Sequence, residues 1–167
     1  MKILEYLLIY SNGGHLEECS RFLGLQPLNL PILATRYLEV HSRLVLWFYE
    51  LQGFQPEKDA LLEHVGGHLS GALVVADQSL VEQPDPALET INQLSIRLPE
   101  KPFLVGVRVA AEKYRELHPV VHRSGLFLSE NGRLFFWTPQ VPASIGRLWQ
   151  ALLLGNGNGQ DVQSGGD

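Results

Sequence analysis

The sequence has a single cysteine, Cys19, and it has no cluster of lysine or arginine. One cysteine cannot form an internal disulfide, so nothing indicates an oxidising compartment. Thirteen basic residues against 18 acidic ones give a formal net charge of -5, which leaves no electrostatic footprint for nucleic acid or an anionic membrane. The apolar run from Ile3 to Tyr10 is too short to cross a bilayer, and no cleavage site of small residues follows it. These absences predict a cytoplasmic protein without nucleic-acid binding or membrane insertion.

The length and composition of the chain fit one globular domain. The chain has 167 residues, of which 45% are hydrophobic and 19% charged, enough for a sizeable core. No internal repeat or long linker divides residues 1–154. The last segment, residues 155–167, is rich in glycine and almost without apolar residues, so we expect a flexible tail there.

Short apolar runs alternate with amphipathic segments along the chain. The predicted strands are Ile3 to Tyr10, Ile32 to Val40, Arg43 to Leu51, Ala72 to Ala76, Pro102 to Val109, and one strand or hairpin within Gly125 to Phe136. The predicted helices are His15 to Leu23, Glu57 to Val65, a segment from Pro86 to Leu98, and Ala143 to Leu154. Gln26 to Pro31 is interpreted as a loop. The alternation predicts an α/β fold with a mostly parallel sheet, helices on both faces and an early antiparallel hairpin.

Three segments give this order a family resemblance. The run Leu46-Trp47-Phe48-Tyr49-Glu50-Leu51-Gln52-Gly53 resembles the strand that leads into switch two of bacterial MglA-type polarity GTPases. Gly71 to Ser79 is similar to the next strand of that family, and Pro86 to Leu94 to the helix after it. The resemblance implies a three-layer Ras-like domain over residues 1–154, with an antiparallel strand at one sheet edge.

The phosphate-binding loop of such GTPases is altered in this sequence. The matching stretch, Ser11 to Glu18, keeps Gly13 and Gly14 but lacks the Gly-Lys-Ser/Thr ending that holds phosphates and Mg²⁺. His15 follows the glycines, and Glu17 and Glu18 stand where a polyphosphate would lie. Two carboxylates there would repel the ligand by more than the helix dipole, about 0.3–1 kcal/mol, can offset.

Two further parts of the nucleotide site depart from the family. Gly53 of switch two remains, but Phe54 occupies the position of the water-orienting glutamine, with Gln55 one residue later. The guanine-reading Asn-Lys-x-Asp motif should follow Pro102 to Val107, yet that place contains Arg108 and no carboxylate. We therefore predict a pseudo-GTPase without cofactor, metal or catalytic residues. Without phosphates, the cleft beside Gly13, Gly14 and Gly53 is expected to be narrowed or filled.

The resemblance also implies a partner-binding surface near the switch regions. The first strand of the predicted hairpin would lie at the sheet edge with free backbone groups. The candidate contact residues on that strand and the following switch loop are Thr35, Arg36, Tyr37, Glu39, Phe54 and Gln55. The family implies a roadblock-type dimer or an active MglA-type GTPase as partner, in bacterial polarity, motility or pilus control.

Other chemistry-bearing residues have simpler explanations. His64 and His68 have a spacing that can bind zinc, but Gly66-Gly67 interrupts the helix between them. Cys19 lies on the apolar face of its helix, which favours a buried, inert thiol over a nucleophile. Glu17 and Glu18 are interpreted as a solvated helix start, since neighbours on a helix point apart.

An enzyme remains the alternative function, as a weak or atypical nucleotide hydrolase or another chemistry in the same cleft. Asp77, at the end of a strand where α/β sites usually lie, is a weak candidate for it.

Overall fold

The computed structural model describes residues 1–11, 13–30, 34–53, 63, 66–82, 87–98, 100–114 and 130–154. The strands are β1 (Lys2–Tyr10), β2 (Gln26–Asn29), β3 (Ala34–His41), β4 (Leu44–Gln52), β5 (Leu69–Asp77), β6 (Phe103–Arg108) and β7 (Gly132–Trp137). The helices of the described residues are α1 (Gly13–Leu23), α2 (Ser79–Glu82), α3 (Ala87–Arg97) and α4 (Pro142–Leu154). The predicted strands and helices that fall on these residues are confirmed to within a few positions.

All seven strands form one sheet in the order β2-β3-β4-β1-β5-β6-β7. Strands β4, β1, β5, β6 and β7 are parallel, whereas β3 is antiparallel to β4, as the predicted hairpin requires. This arrangement confirms the predicted α/β class with a mostly parallel sheet and an antiparallel edge.

Interpreting Gln26 to Pro31 as a loop was wrong, because Gln26–Asn29 forms strand β2. It pairs antiparallel with β3, with Leu28 opposite Thr35, and it occupies the sheet edge in place of β3. Pro27 is tolerated there because an edge strand does not need every backbone N–H. From Ala34 to Tyr37, the outer side of β3 is therefore paired with β2 rather than free for another chain.

The sheet is covered by helices on both faces, because each helix buries one apolar stripe. One face carries α2 and α3, and the buried stripe of α3 includes Leu88, Ile91, Leu94 and the following Leu98. The other face carries α1 and α4, whose buried side chains are Leu16, Cys19, Leu23, Ile145, Leu148 and Leu152. Phe22 of α1 lies outside these buried stripes and is 43% exposed.

Several sequence predictions fall outside the described residues and stay predictions. They concern Phe54, Gln55, His64, most of the helix Glu57 to Val65, the first part of Gly125 to Phe136, and the tail 155–167. Within the described part of the chain, no helix combines the length and apolar character that a membrane crossing needs.

The parallel strands place four chain positions at one edge of the sheet. Tyr10, Gln52, Asp77 and Arg108 are the last residues of β1, β4, β5 and β6. In open α/β sheets, ligands bind outside these carboxyl ends. The chain enters α1 directly above this edge, so the candidate site lies there.

Candidate functional site

The connection between β1 and α1 is very short. Strand β1 ends at Tyr10 and α1 begins at Gly13, which leaves only residues 11 and 12 between them. In a phosphate-binding loop about four residues separate the two glycines and supply backbone N–H groups to the phosphates. Here the two glycines are adjacent and both lie within the helix, so that loop cannot form in the same way.

The glycines of this region lie at the surface of the described part of the chain. Gly13 and Gly14 are exposed, and a Cβ added to Gly13 or Gly53 would meet no heavy atom within 4 Å. Gly53 has a φ of +73°, a left-handed backbone that favours glycine. The loop after Gly53 lies outside the described residues, so the expectation of a narrowed or filled cleft stays a prediction. The acidic side chains of Glu17 and Glu18 lie further along α1.

Arg36 is the centre of one group of these charged side chains. Its register opposite Phe48 places it on the sheet face that α1 covers, and Glu50 follows on that face of β4. Arg36 donates from Nε to Oε1 of Glu50 over 2.7 Å, and from Nη2 and Nη1 to the two carboxylate oxygens of Glu17. The Arg36 and Glu50 side chains are only 9% and 10% exposed, so their bridge joins β3 to β4 inside the protein, and the Glu17 side chain, which is 62% exposed, links Arg36 to α1.

The pKa values of the group reflect its burial and charge. Burial alone would lower the pKa of Arg36, but the hydrogen bonds and charges of Glu17 and Glu50 outweigh it and raise the pKa. The neighbouring Tyr10 phenol has a raised pKa, chiefly because of burial and further because of Glu50. Arg36 is thus a permanent cation that lies between two acidic side chains.

A second group lies on the other side of α1. Arg108, the last residue of β6, donates from Nε and Nη2 to the carboxylate of Glu18. That hydrogen bond is the main cause of the raised pKa of Arg108, with Asp77 adding a smaller attraction. His15 Nδ1 contacts Oδ1 of Asp77 at the end of β5. Together these contacts tie α1 to β5 and β6.

The predicted solvated position is confirmed for Glu17, whose side chain is 62% exposed, but not for Glu18, which is 27% exposed. The prediction that the two side chains point apart explains the arrangement. Glu17 reaches towards β3 and Glu18 towards β6, so each carboxylate meets a different arginine. The charges do not balance. Two arginines face four carboxylates, namely Glu17, Glu18, Glu50 and Asp77.

The structure brings together most of the residues expected at the degenerate nucleotide site. Gly13, Gly14, His15, Glu17 and Arg108 all lie at the carboxyl edge of the sheet or on the helix above it. Sequence reasoning missed Arg36 and Glu50 as members and gave Asp77 too little weight. A charged residue within each otherwise apolar strand was the signal that could have found them.

The candidate partner residues divide into buried and accessible ones. Thr35 and Arg36 are 2% and 8% exposed, which weighs against both as contact residues, and Arg36 is engaged by carboxylates. Tyr37 is half-buried and Glu39 exposed, on the sheet face opposite α1. Phe54 and Gln55 lie outside the described residues. A partner role stays a prediction for all of them.

Cys19 is buried within the core beneath α1, as the sequence predicts. Burial raises the pKa of the thiol to about 12, so the nucleophilic thiolate is not available at neutral pH. Within the described ranges, no three His, Cys, Asp or Glu side chains are grouped so that they could hold a metal ion. His64 of the predicted zinc spacing lies outside those ranges.

Comparisons with known proteins place the fold among GTPase domains. No protein-family model matches the sequence, and no curated protein matches it either. Among solved structures, the chain is similar to a variant of Aquifex aeolicus Era bound to GDP.AlF4-, with a TM-score of 0.59 and 16% identity over 96% of this chain and 59% of that one. The chain is also similar to the cytosolic domain of the T. maritima FeoB iron transporter in GMPPNP form, with a TM-score of 0.55 and 12% identity over 99% of this chain and 69% of that one.

A third similar structure is Methanosarcina barkeri Roco2 RocCORdC bound to GDP, with a TM-score of 0.50 and 12% identity over 93% of this chain and 50% of that one. At these identities the likenesses establish a Ras-like GTPase fold and nothing about activity. The chain spans 69%, 59% and 50% of the FeoB, Era and Roco2 chains respectively.

Proposed function

We propose that this GTPase-like domain neither binds nor hydrolyses GTP and that it acts by binding a protein partner. The observation that carries the proposal is the ion-pair network at the start of α1. Four carboxylates and two arginines occupy the end of the sheet where a GTPase fold holds phosphates. A Lys and a Ser/Thr are missing at the same place.

Electrostatics supports this proposal. A nucleoside triphosphate with Mg²⁺ needs cationic or neutral donors around its phosphates, because each added anion nearby weakens binding. Here the two arginines are already bound to carboxylates, and four carboxylates face only these two arginines and His15. To bind phosphate, Arg36 or Arg108 would first have to give up its carboxylate, and the freed Glu would then face the ligand.

The test is thermal unfolding of the purified chain with and without 1 mM GTP and Mg²⁺. A ligand at about 100 times its Kd stabilises the folded state by about 2.7 kcal/mol, which raises the Tm of a domain of this size by roughly 5–10 °C. We expect no shift, with an active GTPase as positive control. A shift of several degrees, or nucleotide released from the purified protein on denaturation, would contradict the proposal.

The proposed partner surface is the exposed sheet face at the β3–β4 hairpin together with Phe54 and Gln55. Tyr37 lies opposite Trp47, and Trp47 lies opposite Glu5 on β1. Tyr37, Trp47 and Glu5 are half-buried and Glu39 is exposed. Aromatic side chains that are partly covered and flanked by acids are typical of protein interfaces.

From the resemblance, a roadblock-type dimer or an active MglA-type GTPase is the proposed partner, in a cytoplasmic setting of polarity, motility or pilus control. Tyr37→Ala and Phe54→Ala should each weaken binding by roughly thirtyfold or more if they are interface anchors. Arg147→Ala, on the exposed side of α4, is the matched control. If both variants bind normally and keep their Tm, the interface lies elsewhere.

A further inference from the structure

On the sheet face covered by α1 and α4, the amino ends of β1 and β4 project beyond the two helices. Tyr6 and Leu46 are buried on this face, whereas Leu4 and Leu44, each two residues nearer the amino end, are half-buried. Side chains two residues apart on a strand share one face of the sheet, so these two leucines continue the apolar rows beyond the helices. Part of the hydrophobic layer of this face is therefore left uncovered by the described residues.

The ends of both helices border the uncovered leucines. The Tyr6 hydroxyl lies 3.5 Å from the Leu152 carbonyl oxygen, which places the end of α4 beside β1. A Cβ added to Gly24 would lie 3.7 Å from Leu38 Cδ1, which places the end of α1 against β3. Leu38 is opposite Leu46 in register and is half-buried. The strands and the two helix ends thus form a step, with leucines at its base.

Two aromatic side chains lie at this step. Phe22, in the last turn of α1, is 43% exposed, and it follows Glu18 by four residues on the side of the helix that faces β6. Trp149 of α4 is half-buried and stacks on Phe48 with ring centroids 6.3 Å apart. Contiguous exposed apolar side chains mark interaction sites, whereas scattered ones are ordinary. We define the amino-end surface as Leu4, Leu38, Leu44, Phe22 and Trp149.

The charged side chains around the amino-end surface are cationic. Lys2 is exposed and lies on the same sheet face as Leu4. Its N–H donates to the Arg43 carbonyl over 2.7 Å, so these two exposed cationic residues are neighbours. Arg21 is exposed next to Phe22 at the end of α1. Three cationic side chains therefore flank the apolar surface.

Acidic side chains are placed elsewhere. Glu5 and Glu39 are the nearest acids along β1 and β3, but they lie on the other sheet face, in register with Trp47 and Val45. Among the described residues of β1, β3, β4 and the last turns of α1 and α4, none places a carboxylate at the amino end of this face. A chain with a formal net charge of -5 thus has a locally cationic apolar surface, which is complementary to an acidic partner.

A partner at this surface has to dock with its side chains rather than its backbone. Strands β1 and β4 each pair with a neighbour on both sides, so they offer no free edge. Beyond Tyr37 the outer edge of β3 is short, and the register shifts between Glu39 and His41. Strand addition is therefore disfavoured, whereas an amphipathic helix can place an apolar stripe in such a step. A flat anionic bilayer fits a step poorly, and the net charge of the chain opposes it.

We infer that the amino-end surface docks an acidic amphipathic helix of a partner protein. The apolar stripe of that helix packs on the leucines and the two aromatic rings, and its Asp or Glu side chains face Lys2, Arg21 and Arg43. The surface is on the opposite sheet face from Tyr37 and Trp47, so it does not depend on the proposed partner surface at the β3–β4 hairpin.

The probe is a capped synthetic helix of about 18 residues built from Leu, Ala and Glu, with Leu at every third or fourth position. Its binding is followed by backbone amide chemical shifts of the full chain at constant pH and ionic strength. We expect saturable shifts at Leu4, Leu38, Phe22 and Trp149. A scrambled peptide of the same composition, and a peptide with Lys in place of every Glu, should bind this surface at least roughly tenfold more weakly. The Lys peptide is the decisive control, because the net charge of the chain alone would favour it.

Two exposed residues are replaced to test the surface itself. Phe22→Ser and Arg43→Glu should each weaken binding of the acidic peptide roughly tenfold and leave the Tm unchanged. Ile96→Ser, at an apolar side chain that is 67% exposed on α3, and Arg133→Glu on β7 are the matched controls and should bind normally. Equal binding of the scrambled or Lys peptide at this surface, shifts confined to other residues, or unchanged affinity in both variants would overturn the proposal.

Two other occupants of the surface are tested with the same chain. If residues 155–167 cover it, Val162→Ser, which removes the one large apolar side chain of that segment, should shift the amides of Leu4 and Leu38 without peptide. If the surface meets lipid, the chain should sediment with vesicles of phosphatidylglycerol and phosphatidylcholine, and Phe22→Ser should not. We expect unchanged amides and no sedimentation, and either contrary result would overturn the proposal.

Discussion

Cys19 lies on the inner side of α1 and is 2% exposed. Burial raises the pKa of its thiol to about 12 from an ordinary value of 9.0. Between these two values the unfolded chain loses the thiol proton while the folded chain keeps it. Raising the pH therefore favours unfolding in that window, because the folded state binds one more proton.

Replacing Cys19 with alanine tests this linkage. Below about pH 9 the difference in unfolding free energy between wild type and Cys19→Ala should be constant. Above pH 9 the wild type should lose about 1.4 kcal/mol of unfolding free energy per pH unit relative to Cys19→Ala. Tyr6, Tyr10 and Tyr49 also have raised pKa values, but they are common to both proteins and cancel. Urea unfolding from pH 7 to 11 gives the measurement, and parallel curves throughout would contradict it.

The sequence predicted which end of the molecule holds the charged residues but not how they pair. Glu17 and Glu18 lie on α1, which directly follows the carboxyl end of β1. Their arginines are 19 and 90 positions away along the chain, so only the assembled sheet brings them together. Local patterns carry no information on such a contact, which is why neither ion pair was predicted.

At the scale of elements, the same logic explains why β2 was missed. It has only four residues, three of them are exposed, and one is proline, which locally favours a turn. Its strand character comes from pairing with β3, a tertiary contact that overrides weak local preference. By contrast, β5 and β6 are buried along almost their whole length, and their continuous apolar runs were enough to predict them.

Replacing Gly146 or Gly71 with alanine should change the stability in opposite directions, because the two glycines have different surroundings. Gly146 is exposed within α4, and an added Cβ would meet no atom within 4 Å, so Gly146→Ala should stabilise by about 0.5–1 kcal/mol. At Gly71 in β5 an added Cβ would lie 2.7 Å from the carbonyl oxygen of Pro102 and 3.3 Å from the Tyr6 ring. Gly71→Ala should therefore destabilise by about 1–3 kcal/mol.

Thermal or urea unfolding of both alanine variants compares them directly. The stabilising change should raise the Tm by roughly 1–4 °C. A loss of stability in Gly146→Ala would mean that α4 packs more tightly there than the structure indicates. A neutral Gly71→Ala would mean that β5 and the Pro102 segment can separate at little cost.

For the whole molecule, the order of strands and helices was predictable because each core element carries its own apolar period. The three-layer arrangement then follows from burying both sheet faces. Two ion pairs hold α1 above the carboxyl edge, and they were not predictable from an apolar period. On one side Glu17 binds Arg36 between β3 and β4, and on the other Glu18 binds Arg108 at the end of β6. Helix α1 therefore links the two halves of the sheet on either side of β1.

The buried ion pair between Arg36 and Glu50 should contribute strongly to the stability of the whole domain. The more exposed pair between Arg36 and Glu17 should contribute little. Arg36→Met leaves the Glu50 carboxylate buried without a cation, which costs about 3 kcal/mol or more. Glu17→Gln removes a carboxylate whose side chain is 62% exposed, so we expect a loss of about 1 kcal/mol or less. The double variant Arg36→Met/Glu50→Leu should regain much of the lost stability, because an apolar pair of similar volume avoids burying charge. Urea unfolding of the three proteins measures these differences. If Arg36→Met and Glu17→Gln lose equal amounts, the stabilisation comes from the surface pair and not from the buried bridge to β4.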